Sequence, residues 1–264
     1  NLLGFKKCLV AITKIDLVDK KQTSTISKEI IEFLSNTSMS DPEIFQLSSK
    51  SGKGLGKLTE ALSTLTEKQD KKEINGNFRL PIDRVFSKKG EGLIVTGTVF
   101  SGKIKTGDTL FIFPKQKKVK IRQIHSQNKS SGLGLASQRC AINLSGKNAN
   151  FSEAGRGNWL VEQNNAFETD RIDAHITVLD QKIFNFKKQI SVHLYLGTGH
   201  SLGRAHIIYD NKNPHKKDQY IRLKLEKPIF CINGDPFILQ DKSASCVVGG
   251  GKVVDPLAED FEFI

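Results

Sequence analysis

Cysteine is scarce: 264 residues carry four, Cys8, Cys140, Cys231 and Cys246, far apart and with no C-x-x-C pair. That spacing speaks against a disulfide framework and against zinc, so free thiols and no metal site are expected. Long apolar runs are missing as well. None approaches the roughly 20 residues that span a bilayer. The apolar stretch from Cys8 to Ile12 runs straight into Thr13-Lys14-Ile15-Asp16 without a small-residue cleavage site, so it does not read as a signal peptide. A cytoplasmic protein with no membrane partner is expected.

A phosphate loop is absent too. No G-x-x-x-x-G-K-[ST] occurs, and Gly52-Lys53-Gly54-Leu55-Gly56-Lys57 has the wrong spacing and continues into Leu58. Acidic residues are outnumbered, 28 Asp and Glu against 40 Lys and Arg, for a formal charge of +12. Such an excess draws a protein towards phosphate-rich partners, because each neutralised phosphate releases counterions. A solvated lysine-rich surface gives the same count.

What is present changes texture once. In residues 1–68 the run Cys8–Ile12 reads as a buried parallel strand, and Thr23–Leu34 carries Ile26, Ile30, Ile31, Phe33 and Leu34 at helical spacing. Ile44–Leu47 reads as a second strand, and Leu55, Leu58, Leu62 and Leu65 mark one face of a second helix. This is the tail of an α/β domain. Residues 69–77 are polar and read as a linker. Beyond Phe78, short alternating segments broken by glycine turns predict antiparallel barrels, two by length, divided near Asn164–Asp170.

Thr13-Lys14-Ile15-Asp16 follows the first strand, where open α/β sheets bind ligands. A carboxylate there can accept from both N1–H and the 2-amino group of guanine. Adenine lacks that pair and would leave a buried acceptor unsatisfied, at about 1–3 kcal/mol. Ser48-Ser49-Lys50 follows the second strand. In that order the two segments resemble the N/T-K-x-D and S-A-K guanine loops of GTPases. The resemblance assigns Thr13, Lys14, Asp16, Ser48, Ser49 and Lys50 to guanine, and implies GTP as cofactor with Mg²⁺ in the complete protein. The Mg²⁺-binding and water-positioning residues of the switch regions have no counterpart here. The 264 residues alone are therefore expected to be inactive, with no catalytic residue of their own, and read as a fragment.

The stretch from Phe78 to Asp108, with Ile82-Asp83-Arg84-Val85-Phe86, Gly92–Val99 and Thr106-Gly107-Asp108, resembles the second domain of translational GTPases. Thr13 in place of Asn, Asp83-Arg84, Gln138-Arg139-Cys140-Ala141-Ile142-Asn143 and Gly155-Arg156-Gly157-Asn158-Trp159-Leu160 resemble the SelB-type selenocysteine-specific elongation factors. The resemblance places Asp83, Arg84 and Arg139 in an aminoacyl pocket, with His125 a further candidate. Selenocysteine is largely anionic at neutral pH, and one charge pair near 4 Å is worth about 4 kcal/mol at an effective dielectric near 20, before desolvation takes its share. Two guanidinium groups would favour it over neutral serine, and Asp83 would orient one of them. A plain Asp–Arg surface salt bridge is the alternative.

Lys118, Lys120 and Arg122 alternate with Val119 and Ile121, which on a regular strand puts three cations on one face, either a phosphate track or a solvated edge. Val192–Thr198, Arg204, Leu225–Pro228, Gly234–Leu239 and Val247–Pro256 resemble the family's third domain. Gln240 and Pro236 stand where the family usually has Arg. The glycine triplet Gly249–Gly251 predicts a tight strand crossing.

The implied fold is multidomain: the C-terminal part of an α/β P-loop GTPase domain at 1–68, a linker at 69–77, and two antiparallel β-barrels. The first, 78–167, carries the aminoacyl pocket; the second, 168–256, contacts tRNA; residues 257–264 begin a missing C-terminal region. The implied function is GTP-dependent delivery of selenocysteinyl-tRNA to the ribosome, with the mRNA selenocysteine-insertion hairpin read only by missing C-terminal domains. Two other readings stay open. One is a relative of the elongation factor Tu, initiation factor two gamma or sulfate adenylyltransferase subunit type. The other is a non-enzymatic RNA-binding β-barrel protein.

Overall fold

The structure, a computed structural model, describes residues 2–3, 5, 7–35, 37–67, 74–88, 92–147, 149–150, 152–162, 167–179, 189–209 and 218–259. Residues 69–73 of the expected linker, 163–166 at the expected barrel boundary and 260–264 of the tail lie outside the described residues. Two compact units divide the chain near residue 71.

In the first unit, β1 (Leu9–Ile12) and β2 (Glu43–Gln46) pair in parallel. Between them come a 3₁₀ turn at Ile15–Leu17 and α1 (Lys20–Leu34), and α2 (Leu55–Glu67) follows β2. The first helix starts at Lys20, three residues before the Thr23–Leu34 segment read from the sequence. Asp19 explains this: its carboxylate caps the helix by accepting from the Gln22 amide at 2.7 Å.

The second unit is all β. Its first part runs β3 (Arg79–Pro81), β4 (Arg84–Lys88), β5 (Gly92–Thr98), β6 (Lys103–Lys105), β7 (Thr109–Phe113), β8 (Lys117–Ser126), β9 (Lys129–Ser131), β10 (Leu133–Leu135), β11 (Arg139–Ser145) and β12 (Trp159–Val161). The main ladder has the order β3-β12-β7-β8-β11-β5-β4, with β9 on β8 and β6 paired separately to β10. Its two ends, β3 and β4, are successive parts of one segment, which changes partner at a corner formed by Ile82 and Asp83. There the Ile82 amide donates to the Asn158 carbonyl and the Asp83 amide to the Thr96 carbonyl, each at 2.8 Å. The corner brings the edges of the sheet together around a core of Phe78, Leu80, Ile82, Val95, Ile112, Ile124 and Ile142, all buried.

β8 departs from strict alternation. The partner register slips between Asn143 and Leu144, which pair with Gln123 and Ile121, so Arg122 is the extra residue of a bulge. Lys118 and Lys120 share the outer face as expected. Arg122 is exposed too, with Val119 and Ile121 buried between the three cations, and the alternation breaks only after it, where Gln123 is also exposed.

The second part, β13 (Thr169–Val178), β14 (Ile190–Leu196), β15 (Gly199–Tyr209), β16 (Asp218–Ile229), β17 (Pro236–Asp241) and β18 (Val247–Asp255), is a closed six-stranded barrel of order β13-β16-β15-β14-β17-β18. The glycine triplet lies inside β18. A Cβ on Gly251 would fall 1.8 Å from the His175 carbonyl oxygen, so only glycine lets these strands approach. Phe113, Trp159 and Val161 from the first part join the core of the second. Trp159 meets Phe100 and Phe230 edge-on at 5.3 and 5.6 Å. Among the described residues no helix is long and apolar enough to cross a membrane, and no cluster of three or more potential ligands could hold a metal ion.

Candidate functional site

Two sets of sequence-predicted residues sit in different units. In the first unit, both guanine-loop candidates lie just past the carboxyl ends of neighbouring parallel strands. Backbone bonds tie the loops together: the Leu47 amide donates to the Ile12 carbonyl at 2.8 Å, and the Ile15 amide to the Leu47 carbonyl at 3.2 Å. Lys14 adopts a left-handed conformation with φ 59°, so the chain reverses there and enters the 3₁₀ turn that carries Asp16. Thr13, Lys14 and Asp16 are exposed, as are Ser49 and Lys50.

Ser48 is buried, and it shapes the second loop: its hydroxyl accepts from the Ser51 amide at 3.2 Å and its own amide donates to the Lys53 carbonyl at 3.0 Å. Gly54 has φ 79° and no room for a Cβ, which would lie 2.2 Å from the Gln46 carbonyl oxygen. Gly52–Gly54 is thus the turn that closes this loop, and Leu55–Lys57 already begin α2. An acceptor-only carboxylate (Asp16) beside a loop held by Ser48 suits the donor edge of guanine.

In the second unit, cross-strand register assembles the other set. Arg84 on β4 pairs with Thr96 on β5, Thr96 with Ala141 on β11, and Ala141 with His125 on β8. Directly opposed residues of an antiparallel sheet share a face. Arg84, Thr96 and His125 therefore stand in one lateral row on the outer face. Arg139, two residues before Ala141 and opposite Thr98, stands on the same face in the neighbouring row. With adjacent strands about 4.8 Å apart, the Arg84 and Arg139 backbones are separated laterally by about 10 Å across β5.

Asp83 joins the group because the Ile82–Asp83 corner turns it towards β5. Its carboxylate makes a bidentate ion pair with Arg139: Nη1 donates to Oδ2, and Nη2 to Oδ1 at 3.0 Å. Thr96 closes the triangle. Its hydroxyl donates to Asp83 Oδ1 at 2.6 Å and accepts from Arg139 Nη2 at 3.3 Å. Burial works to raise the Asp83 carboxyl, but the hydrogen bonds from Arg139 and Thr96 and the charges of Arg139 and Arg84 outweigh it and hold the group below the usual carboxylate range. Asp83 stays ionised, and its charge is answered by two guanidinium groups.

Two hollows open beside this triangle. One, about 230 Å³, is lined by Thr96, His125, Gln127, Asn128, Arg139, Cys140 and Ala141. The other, about 280 Å³, shares His125, Asn128 and Ala141 with it and adds Phe86, Ile94, Gln123 and Asn143. Arg84 lines neither; it flanks Asp83 from β4. The structure therefore brings Arg139 and His125 to one concave face, while Asp83 lines neither hollow and joins them through its ion pair with Arg139, with Arg84 beside it. Sequence reasoning missed Thr96, Gln127 and Asn128. Period-2 alternation across Val95 and Thr96 points Thr96 outward, but only the strand register shows that it lies between Asp83 and Arg139.

Comparison with known proteins bears on both units. Residues 92–161 match the family model of elongation factor Tu domain 2, and residues 169–260 match that of the selenocysteine-specific elongation factor beta-barrel domain. The selenocysteine-specific elongation factor of Haemophilus influenzae is 34% identical over 96% of this chain and 39% of its own length. That of Escherichia coli is 29% identical over 96% and 39%. The chain thus spans about two fifths of the length of these curated relatives. Among solved structures, a bacterial selenocysteine-specific elongation factor EF-Sec superposes with a TM-score of 0.81 at 21% identity, covering 95% of this chain and 40% of that one. Translation elongation factor SelB from Methanococcus maripaludis, in complex with the GTP analogue GppNHp, superposes with a TM-score of 0.79 at 24% identity, covering 95% of this chain and 59% of that one.

Proposed function

We propose, from the premise that this chain belongs to the family of SelB-type selenocysteine-specific elongation factors, that the complete protein binds GTP and delivers selenocysteinyl-tRNA to the ribosome. The observation that carries this reading is the cationic face of the first barrel, where Arg139 and Arg84 flank Asp83 beside hollows that His125 also lines.

The chemistry follows from charge. A selenolate entering the hollow meets a guanidinium whose other edge is fixed on Asp83, so binding needs little reordering of a long side chain. Seryl-tRNA offers a neutral hydroxyl and gains no such attraction. Asp83 keeps the empty site from being an uncompensated cationic patch, and its retained charge trims the attraction without reversing it. In the first unit Asp16, Ser48, Ser49 and Lys50, with Thr13 and Lys14, would hold the guanine of GTP. That group supplies the nucleotide-dependent switch of the complete protein, with Mg²⁺ held by other segments. We assign the ribosome, and the mRNA insertion hairpin through further domains, as partners of the complete protein on the same premise. Phosphate contacts of the acceptor arm with the second barrel belong to this reading as well.

The test is a binding comparison in the complete protein loaded with a non-hydrolysable GTP analogue, using selenocysteinyl-tRNA and seryl-tRNA. Arg139→Ala should erase most of the preference for the selenocysteinyl form, by about tenfold or more, since about 1.4 kcal/mol is a factor of ten. Equal binding of the two charged forms by wild type, or an unchanged preference in Arg139→Ala, would remove the assignment.

A further inference from the structure

We infer that Thr96 is a positioning residue for amino-acid discrimination: its hydroxyl fixes Asp83 and Arg139 in the one arrangement that leaves a guanidinium edge facing the hollow. The inference rests on reading this face as the aminoacyl pocket and deepens it.

Thr96 lies at the junction of everything the site uses. It is 9% exposed, in the middle of β5, with Arg84 opposite on one side and Ala141 on the other. It holds Asp83 twice. The Thr96 carbonyl accepts from the Asp83 amide at 2.8 Å, which fixes the corner of the chain, and the Thr96 hydroxyl donates to Asp83 Oδ1 at 2.6 Å, which fixes the carboxylate.

The direction of each bond is forced. An ionised carboxylate can only accept and a guanidinium can only donate. The single hydroxyl proton must therefore go to Asp83, and the oxygen lone pairs face Arg139 Nη2 at 3.3 Å. No other orientation satisfies both neighbours. Asp83 alone, on a corner outside regular strand pairing, could hold Arg139 in more than one rotamer. The Arg139 side chain is 53% exposed, and an exposed ion pair by itself restrains a long side chain weakly. A hydroxyl rooted in a buried strand position supplies the missing restraint.

The carboxylate also reports on the hydroxyl. Among the described residues the charges acting on Asp83 are Arg139 from β11 and Arg84 from its own segment, and His125 stands on the same outer face two strands away from β5. Cys140, the neighbour of Arg139, is buried. Removing a donor to the ionised carboxylate leaves these in place and must raise the pH at which Asp83 takes up a proton.

The experiment uses the complete protein with a non-hydrolysable GTP analogue and compares Thr96→Val, Thr96→Ser and Arg139→Ala. Valine keeps the branched shape and β-propensity, and thermal unfolding verifies that each variant is folded. If Thr96→Val does not fold, Thr96→Ala takes its place. Two readouts are followed: the preference for selenocysteinyl-tRNA over seryl-tRNA, and the titration of the Asp83 carboxyl carbon by NMR. Thr96→Val should lower the preference about tenfold, the size of a lost hydrogen bond to a charged group, and raise the Asp83 midpoint. Thr96→Ser should restore both. An unchanged preference in Thr96→Val beside a lost preference in Arg139→Ala overturns the role of Thr96 and leaves the pocket standing. An unchanged preference in both variants overturns the pocket itself, and the role of Thr96 with it.

Discussion

Arg79 and Asp235, 156 residues apart, are locked together: one guanidinium nitrogen, Nη1, lies 2.9 Å from both carboxylate oxygens. Their side chains are only 12% and 5% exposed. Arg79 leaves the first strand of the first barrel, and Asp235 sits in the turn before β17 of the second. The same guanidinium stands 5.5 Å from the centre of the Trp159 ring, and Asp235 also accepts from the Ile232 amide at 2.9 Å. Beneath the pair lies Cys231, wholly buried, whose thiol is pushed up to about 12 by burial and by the Asp235 charge.

Removing one member of such a pair leaves the other charged and buried without compensation. Arg79→Ala should therefore destabilise the chain by about 3–5 kcal/mol. Urea unfolding followed by the fluorescence of Trp159, the single tryptophan, measures this directly. The paired replacement Arg79→Met with Asp235→Asn should cost clearly less than the sum of the two single changes, because neither leaves an orphaned charge. Additive losses would show that the ion pair does not couple the two barrels.

Stability should fall as the solution is acidified, in two windows with different causes. His206 is held below its ordinary value by burial and then by the nearby Arg222, with Asp173 opposing. The unfolded chain therefore takes up its proton first, and stability present at neutral pH is lost as pH falls below about 6.5. Asp83 is also depressed, so its contribution is present above the unfolded carboxylate value and is lost as pH falls through the lower folded value. The sign is the same for both. His206→Gln should flatten the dependence of the thermal midpoint between pH 7 and 5, and Asp83→Asn only the part below about pH 4. A slope between pH 7 and 5 that His206→Gln leaves unchanged would assign that window to other groups.

How much of this was legible in the sequence depends on range. The alternation from Phe78 onwards reports the strands because each has one buried face, and Leu80, Ile82, Val95 and Ile142 are buried there. The guanine-loop candidates were legible as local segments, each directly after a strand. The Asp83–Arg139 contact was foreseen only as a charge arrangement, since nothing local specifies the register that brings positions 83, 96 and 139 together. The bulge at Arg122 was invisible, because an extra residue in one strand is defined by its partner strand. Arg79–Asp235 was likewise out of reach: each half looks like an ordinary surface charge until the barrels are joined. The glycine triplet was read correctly as a close approach of backbones, but as a crossing between strands. Its place inside β18 follows from ladder partners on both sides, β13 and β17.

The guanine assignment makes a prediction about base choice that does not depend on the aminoacyl site. Asp16 is exposed in the middle of a 3₁₀ turn whose position is fixed by the bond from the Ile15 amide to the Leu47 carbonyl, so its side chain can be changed without disturbing the fold. A carboxylate presents two acceptors to the N1–H and 2-amino donors of guanine. Asp16→Asn replaces one acceptor with a donor, which then faces the 2-amino group and leaves both unpaired. Xanthine carries a carbonyl oxygen at position 2 and still offers N1–H, so it matches an amide on both bonds. In the complete protein Asp16→Asn should weaken GDP binding by at least tenfold, about 1.4 kcal/mol or more, and raise affinity for xanthosine diphosphate, as measured by displacement of a fluorescent nucleotide. Asp16→Ala should weaken both nucleotides without the exchange of preference. If Asp16→Asn instead binds GDP like wild type, the loop after β1 is a turn and the base is read elsewhere.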